Sequence, residues 1–356
     1  MAVLSRLIQA PAVVRIGSGV AAELPTILAD QRISGSGALA VAISEGSGTQ
    51  LREQLCRSLP ESVGWFTVSQ ASLDAAVDLA DRIRSAEAPY DTLVAIGGGK
   101  VIDAAKYAAS RLGMPLVAVA TNLAHDGLCS PVATLENDAG TGSYGVPMPV
   151  GIVIDLNLVR QAPPRFVRSG VADVLSNLSA LADWELSNRE TGEQVDGLAA
   201  AMARSSAEAV MHHPGTVADD GFLTVLADAL VLSGQAMAVA GTSRPCSGAC
   251  HEINHAINQL FPKQAAQHGE QCGVGALFAT HLREDHALAA EMAEVLTRHE
   301  LPVTPSDLGL GIDQFVEAVT YAPHTRPGRF TILEHLELSR SQILDAVKGY
   351  VATYAR

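Results

Sequence analysis

Short apolar runs alternate with amphipathic stretches through the first half of the chain. Ala38–Ile43 (ALAVAI), Gly64–Val68, Thr92–Ile96 (TLVAI), Leu116–Ala120 and Ile152–Asp155 (IVID) have the length and composition of strands. Gln50–Ser58 and Leu73–Ala86 carry apolar residues at helical spacing, and a third helix is expected from the glycine turn after Ile96 through Leu112. This order predicts strand and helix units around a parallel sheet. Beyond Pro163 and Pro164 the strand signals fade, and Ala/Leu-rich segments at helical period continue to the C-terminus. The double proline marks the expected boundary, because the residue before a proline is steered away from helix. The organisation predicted is an α/β domain over 1–162 followed by an all-α domain over 163–356. Asp138–Pro149, rich in Gly, Ser and Pro, reads as a surface hairpin or loop.

Composition narrows the class. The 356 residues are 48% hydrophobic and 17% charged, which excludes disorder for the bulk of the chain. With 24 basic and 38 acidic residues the net charge is −14, and no dense Lys/Arg run offers a footprint for nucleic acid. The same negative field repels anionic ligands, so a phosphate-bearing substrate needs a local basic pocket. Five scattered cysteines (Cys56, Cys129, Cys246, Cys250, Cys272) do not form a dense disulfide framework, and a reducing cytoplasm is the expected setting. Met1–Val20 lacks the pattern of a signal peptide. Phe222–Gly241 is long enough to span a bilayer but carries Asp228, Ser233, Gly234 and Gln235 near its middle, so a buried core helix is expected and no membrane span.

Two features carry chemistry. Gly97-Gly98-Gly99-Lys100-Val101-Ile102-Asp103 stands where a strand gives way to a helix, and backbone N–H groups at such a helix start can hold a pyrophosphate. It matches neither G-x-G-x-x-G nor the Walker pattern, and on spacing alone it reads equally as a tight turn with a solvated lysine. His251-Glu252-Ile253-Asn254-His255 matches the H-E-x-x-H of zinc proteases. The metzincin extension would require a glycine at position 258 and a histidine at 261, where Asn258 and Phe261 stand. The competing reading joins His251 to His268 and Asp173, two imidazoles and a carboxylate that leave one zinc position open for a substrate oxygen. Taken singly, each of these is as well explained as a helix cap or a satisfied core residue.

The chain resembles the glycerol-1-phosphate dehydrogenase family, within the wider group of dehydroquinate synthases, glycerol dehydrogenases and metal-dependent alcohol dehydrogenases. The resemblance is carried by the glycine turn, by Thr121-Asn122-Leu123-Ala124-His125-Asp126-Gly127, and by Gly170–Asn177 with Asp183-Trp184-Glu185-Leu186. Gly241-Thr242-Ser243-Arg244-Pro245, His251 with His255, His268-Gly269-Glu270-Gln271-Cys272-Gly273 and Arg326-Pro327-Gly328-Arg329-Phe330-Thr331 complete it. It implies a dehydroquinate synthase-like fold, with a Rossmann-like N-terminal domain, a helical C-terminal domain and an active site in the cleft between them. By the same resemblance Asp173, His251 and His268 hold zinc. Gly97, Gly98, Gly99, Lys100, Val101 and Asp103 serve the cofactor pyrophosphate, with Thr121, Asn122, Ala124 and Ser130 along the cofactor. Asp126 and His255 touch the substrate. The family often has a proline and a serine where this chain has Ala120 and Ala124, and alanine and glutamate where Cys246 and Cys250 stand. Cys250 adjoins a proposed ligand, which opens a thiolate or redox role beside the plainer one of a small buried side chain.

The implied chemistry is hydride transfer between a nicotinamide (NAD or NADP) and the C2 carbon of a dihydroxyacetone-like ketone whose oxygen Zn2+ polarises. His255, Asp126 or water would relay the proton. Arg244, Arg326 and Arg329 are candidates for a substrate phosphate, or else ordinary ion pairs. Glu45, in Ser44-Glu45-Gly46 after a predicted strand, would favour a free ribose hydroxyl and so NAD. The alternatives are a cyclase of the dehydroquinate synthase type, a polyol dehydrogenase acting on an unphosphorylated substrate, and a non-catalytic dinucleotide-binding protein. The expected partner is a small-molecule substrate, and a homo-oligomer is expected by analogy.

Overall fold

The computed structural model describes residues 10–45, 47–55, 59, 63–138, 140–264 and 266–355. The start of the Met1–Val20 stretch, Gly46 of the acidic turn, and the end of the helix expected over Gln50–Ser58, including Cys56, lie outside them. The chain divides into two compact units. The first takes residues 1–121, 127–159 and 237–241, and the second takes 122–126, 160–236 and 242–356.

Among its described residues the first unit has eight strands. They are β1 (Val13–Gly17), β2 (Leu39–Ser44), β3 (Gly64–Val68), β4 (Thr92–Gly97), β5 (Leu116–Ala120), β6 (Val132–Asn137), β7 (Gly140–Gly145) and β8 (Gly151–Asp155). Six of them form one parallel sheet in the order β1-β8-β5-β4-β2-β3. Its inner strands read as continuous apolar runs because helices cover both faces of a parallel sheet. Val41, Val94, Val117 and Val153 are fully buried in one core cluster. β2 lies between β3 and β4, so the chain reverses direction across the sheet at the β2/β4 pair. The carboxyl ends at such a reversal open the crevice where doubly wound sheets take their ligands. Glu45 follows β2, and Gly97-Gly98-Gly99 closes β4 and opens the helix Gly99–Leu112.

Two elements differ from the sequence reading. β1 was not foreseen: Arg15 interrupts its apolar run, and its pairing to β8 is what makes it a strand. The region read as a hairpin or loop over Asp138–Pro149 is the second half of a longer antiparallel hairpin, β6 against β7, with Ala133 and Leu135 buried on one face. A buried lysine ties that hairpin to the glycine-turn helix. Lys106 pairs with Asp103 at 2.7 Å and donates to the carbonyls of Gly127 (2.7 Å), Ser130 (3.4 Å) and Val132, while Asp103 also accepts from Thr134 N at 3.2 Å.

Among the described residues of 160–355 there is no strand. The helix Asp220–Ala240 has the length and apolarity to cross a membrane, but Phe222, Leu226, Ala227, Leu230 and Ala236 on it are fully buried. It is a core helix, as the polar residues in its middle predict.

Candidate metal centre

Three helices of the second unit converge on one group of donors. The helix Pro164–Leu175 begins with proline in its first turn, where no N–H is needed, and carries Asp173 near its end, 3% exposed. Gly170 on this helix packs so tightly on the segment 122–126 that a Cβ there would stand 1.9 Å from the Leu123 carbonyl oxygen. That contact lets Asp126 N donate to Asp173 Oδ2 at 2.9 Å.

The helix His268–Leu282 starts with a capping box in which Gln267 N donates to Glu270 Oε2 at 2.9 Å. Arg165 holds the same carboxylate with two hydrogen bonds, of 2.7 and 2.6 Å. Gly269 N donates to Ser169 Oγ at 3.1 Å, which sets the two helices side by side and brings His268 Nε2 to 3.4 Å from Asp173 Oδ1.

The helix Ala249–Leu260 supplies His251. Its start is fixed by Asp183, fully buried, which accepts from Ala249 N and Ile332 N at 2.8 Å each and from Arg283. The rings of His251 and His268 stand 5.1 Å apart, and His125 lies 5.8 Å from His268.

Donor atoms of Asp173, His251, His268 and Cys272 all lie within 4.8 Å of one another. Cys272 was not among the ligands expected from the sequence. Its signal was there, one helical turn after His268 and so on the same face. A carboxylate, two imidazoles and a sulfur are the ligand types of a borderline divalent ion such as zinc. Burial, then the nearby His268, His255, Arg326 and Arg329, holds the His251 imidazole well below its ordinary pKa, in the neutral form a metal needs. Burial, and then Cys250, Asp173 and Asp126, push the Cys272 thiol well up.

Cys250 stands apart from this group. Its sulfur lies 3.3 Å from His251 Nδ1, and burial raises its pKa to about 12. A contact at one ring nitrogen fixes the orientation with which the other is presented. Cys246 donates to the Ser233 carbonyl at 3.3 Å, and its sulfur lies 3.2 Å from the Ser233 hydroxyl. The Ser233 hydroxyl donates to Asp126 Oδ2 at 2.8 Å and accepts from Asn177 Nδ2 at 2.9 Å, so the Asp126 side chain is held from behind.

The H-E-x-x-H segment does not form a protease site. His255 lies outside the donor group, with Nε2 3.0 Å from Arg326 Nη2, and burial followed by the Arg326 charge lowers its pKa to about 3. Glu252 is fully buried against Thr331 at 3.1 Å, and burial, then Glu334 and Asp183, raise its pKa to about 9.

The three arginines part company. Arg244 is buried and gives its guanidinium to both oxygens of Glu193 and to the Phe330 carbonyl at 2.9 Å. Arg329 donates to neutral groups, Ser243 Oγ at 2.9 Å and the Ser247 carbonyl, and Arg326 reaches the same Ser243 hydroxyl at 3.3 Å. Burial, then the Arg326 and Arg244 charges, lower the Arg329 pKa to about 10. Two cationic groups thus lie together beside His255.

The remaining sequence-derived residues belong to the first unit, apart from Asn122 and Ala124, whose N–H donates to Asn122 Oδ1 at 3.3 Å. None of Gly97, Gly98 and Gly99 has a positive φ. Glycine is there for space: a Cβ on Gly97 would meet the Val101 side chain at 2.8 Å. Thr121 N donates to Gly97 O at 3.0 Å, which locks the turn to the end of β5. Lys100 and Glu45 are exposed, and Val101 is buried. Asp103 is the partner of Lys106, and Ser130, also buried, donates to Val132 O at 3.2 Å.

A model of the iron-containing alcohol dehydrogenase family matches residues 15–163. Among solved structures, glycerol dehydrogenase from Schizosaccharomyces pombe superposes with a TM-score of 0.76 at 21% identity, covering 98% of this chain and 91% of that one. A probable glycerol dehydrogenase from Sinorhizobium meliloti 1021 gives 0.75, also at 21% identity, over 98% and 99%. These show the fold. Among curated relatives, glycerol-1-phosphate dehydrogenase (NAD(P)+) from Methanospirillum hungatei is 36% identical over 333 residues, 93% of this chain and 90% of its own. The enzyme of the same name from Methanothermobacter thermautotrophicus is 32% identical over 94% and 95%. At that identity over nearly the whole of both sequences, the chain belongs to the glycerol-1-phosphate dehydrogenase family.

Proposed function

We propose that the protein is a zinc-dependent dehydrogenase, linked to NAD or NADP, that interconverts dihydroxyacetone phosphate and glycerol 1-phosphate by hydride transfer. The observation that carries this is the pairing of two features in one unit: the Asp173, His251 and His268 donors, and the Arg326 and Arg329 charges around His255, one helical turn from His251. The net charge of −14 makes such a local basic pocket a requirement for a phosphorylated substrate. The names of the curated relatives support the same substrate and cofactor.

Zinc held by the donor group supplies an electrophile that draws electron density from the substrate oxygen. The rest is the work of side chains. His255 is neutral near pH 7, and because its Nε2 faces the Arg326 guanidinium, its proton sits on Nδ1, from which it donates to a substrate oxygen. Asp126, steadied by Ser233, accepts from a substrate hydroxyl. Arg329, with Arg326, takes the phosphate, while Arg244 stays with Glu193 and shapes the pocket. In the first unit, the start of the helix Gly99–Leu112 and the turn before it take the cofactor pyrophosphate. Exposed Glu45, just past β2, disfavours a 2′-phosphate and favours NAD. The free thiols Cys129, Cys246, Cys250 and Cys272 support a reducing, cytoplasmic setting.

The test is absorbance at the reduced-nicotinamide band with zinc-loaded protein, offered dihydroxyacetone phosphate and dihydroxyacetone in turn, beside an Asp173→Asn, His268→Ala double variant. Oxidation that needs both metal and phosphate is the expected result. Oxidation by the unphosphorylated ketone alone would make the protein a polyol dehydrogenase. No oxidation by either, with metal and cofactor bound, would refute the assignment.

A further inference from the structure

We propose that the Ser243 hydroxyl, set between Arg326 and Arg329, is a third donor to the substrate phosphate and helps to select a phosphorylated ketone. The inference rests on the phosphate reading above and adds to it a neutral donor. Arg326 Nη1 donates to Ser243 Oγ at 3.3 Å, and Arg329 Nη2 donates to the same atom at 2.9 Å. A serine oxygen has two lone pairs and one proton, so both lone pairs are taken and the proton is left to give. Among the described residues no acceptor takes it. The tetrahedral geometry of the oxygen turns its O–H away from both guanidinium nitrogens. Two positive charges on its lone pairs polarise that O–H and strengthen it as a donor.

The turn that carries Ser243 is fixed on both sides. Its carbonyl accepts from Cys246 N at 3.0 Å, and the next residue, buried Arg244, is locked to Glu193. Arg329 gives Nη1 to the Ser247 carbonyl and Nη2 to Ser243, so each of these nitrogens, with two protons, keeps one for a ligand. Two positive charges thus share one neutral oxygen, and a phosphate dianion offsets their mutual repulsion. Both arginines are half-buried, and burial lowers the pKa of each, so an anion among them is screened less by salt than one at the surface. His255, which faces Arg326 Nη2 at 3.0 Å, stands one helical turn, about 5.4 Å, from the metal donor His251. A three-carbon ketone with a terminal phosphate covers that span, its carbonyl toward the metal and its phosphate at Ser243.

The experiment titrates inorganic phosphate into the full-length, zinc-loaded protein by calorimetry and measures KM for dihydroxyacetone phosphate and for dihydroxyacetone. The wild type is compared with Ser243→Ala and Ser243→Thr. Ser243→Ala should weaken phosphate, and raise KM for the phosphorylated ketone, by about 10- to 100-fold, the worth of a hydrogen bond to a charged group. KM for the unphosphorylated ketone should change less, and Ser243→Thr, which keeps the hydroxyl, should restore most of the loss. Phosphate bound to the zinc alone would respond to neither substitution. Circular dichroism confirms that each variant is folded, and Ser243→Cys, close in size and a weak donor, covers the case in which alanine is not. Unchanged phosphate affinity in Ser243→Ala, or an equal rise in KM for both ketones, overturns the third donor and leaves Arg326 and Arg329 as the phosphate site. A wild type that binds phosphate through Ser243 but turns over neither ketone keeps the donor and refutes the proposed substrate. One that binds no phosphate overturns both.

Discussion

Replacing Gly269 by alanine tests how the donor group is held. In an isolated helix the change is favourable by up to about 1 kcal/mol, because alanine is the better helix former. In this structure the new Cβ would lie 1.9 Å from the Ser169 carbonyl oxygen, whereas real Cβ contacts essentially never fall below 3.0 Å. Both atoms are fixed to helix backbones, so the helices must part by about 1.1 Å at that point, a shift no side-chain rotation can absorb. Overpacking of this kind costs about 1–3 kcal/mol, more than the propensity gain, and about 2–4 °C of melting temperature per kcal/mol. Ser169 and Asp173 share one helix, and Gly269 adjoins His268, so the displacement falls on the 3.4 Å contact between the donors. A misplacement of about 1 Å at a reacting centre costs about 100-fold in rate. The expected outcome for Gly269→Ala is a lower melting temperature, zinc affinity reduced about 10- to 100-fold, and kcat/KM reduced about 100-fold. The assays are thermal unfolding, chelator competition and steady-state kinetics at saturating zinc. A variant with wild-type affinity and kcat/KM, and a melting temperature raised as propensity alone would have it, refutes the reasoning.

Other substitutions separate the remaining roles. Arg329→Ala should raise KM for the phosphorylated ketone about 10- to 100-fold, as expected for a charged hydrogen bond, with a smaller effect on the unphosphorylated one; equal losses on both would remove it from the phosphate site. Glu252 has its pKa raised from the ordinary 4.5 to about 9, so it stays protonated in the folded state where the unfolded chain has already ionised. Between those values it takes away up to about 1.4 kcal/mol of stability per pH unit as pH rises, and Glu252→Gln, which cannot ionise, should gain on the wild type from pH 6 to pH 8 in urea unfolding. A difference that stays flat with pH would place the ionisation elsewhere. Lys106→Met leaves Asp103 buried without its cation and should cost about 3–5 kcal/mol in denaturant unfolding, with part restored by adding Asp103→Asn. No loss in the single variant would mean that the pair does not tie the hairpin down.

The sequence was most legible where local and long-range demands agree. Gly64–Val68 and Leu116–Ala120 are strands at the predicted residues, since each is a short apolar run bounded by turn formers. β1 was invisible because Val13–Gly17 owes its conformation to β8, more than a hundred residues away. The His251, His268 and Asp173 grouping came from family resemblance and not from spacing, and the structure brings those side chains together by helix packing at Gly170 and Gly269. Periodicity does not report such close approaches. Arg244 illustrates the same limit: its type suits phosphate, but its carboxylate partner, Glu193, stands 51 residues back along the chain. Cys272 is the opposite case, a local signal: it follows His268 by one helical turn and so shares its face. Glu252 looked like a protease base by pattern. Thr331 Oγ1 lies 3.1 Å from it and 2.6 Å from Glu334, and one hydroxyl proton cannot serve both, which agrees with a protonated, structural Glu252.

All four donor residues fall between positions 173 and 272, but that span is not a self-sufficient metal module. Asp183 draws on Ala249, Arg283 and Ile332, so a fragment ending near residue 300 would keep all four of these residues and lose one of the three hydrogen-bond donors to a carboxylate with no exposure to water. Grafting the centre into another scaffold, or splitting the gene for complementation, would have to carry the Ile332 segment along. A premature stop codon just after position 272 would take Arg283 and Ile332 away from Asp183 while leaving all four donor residues in the chain.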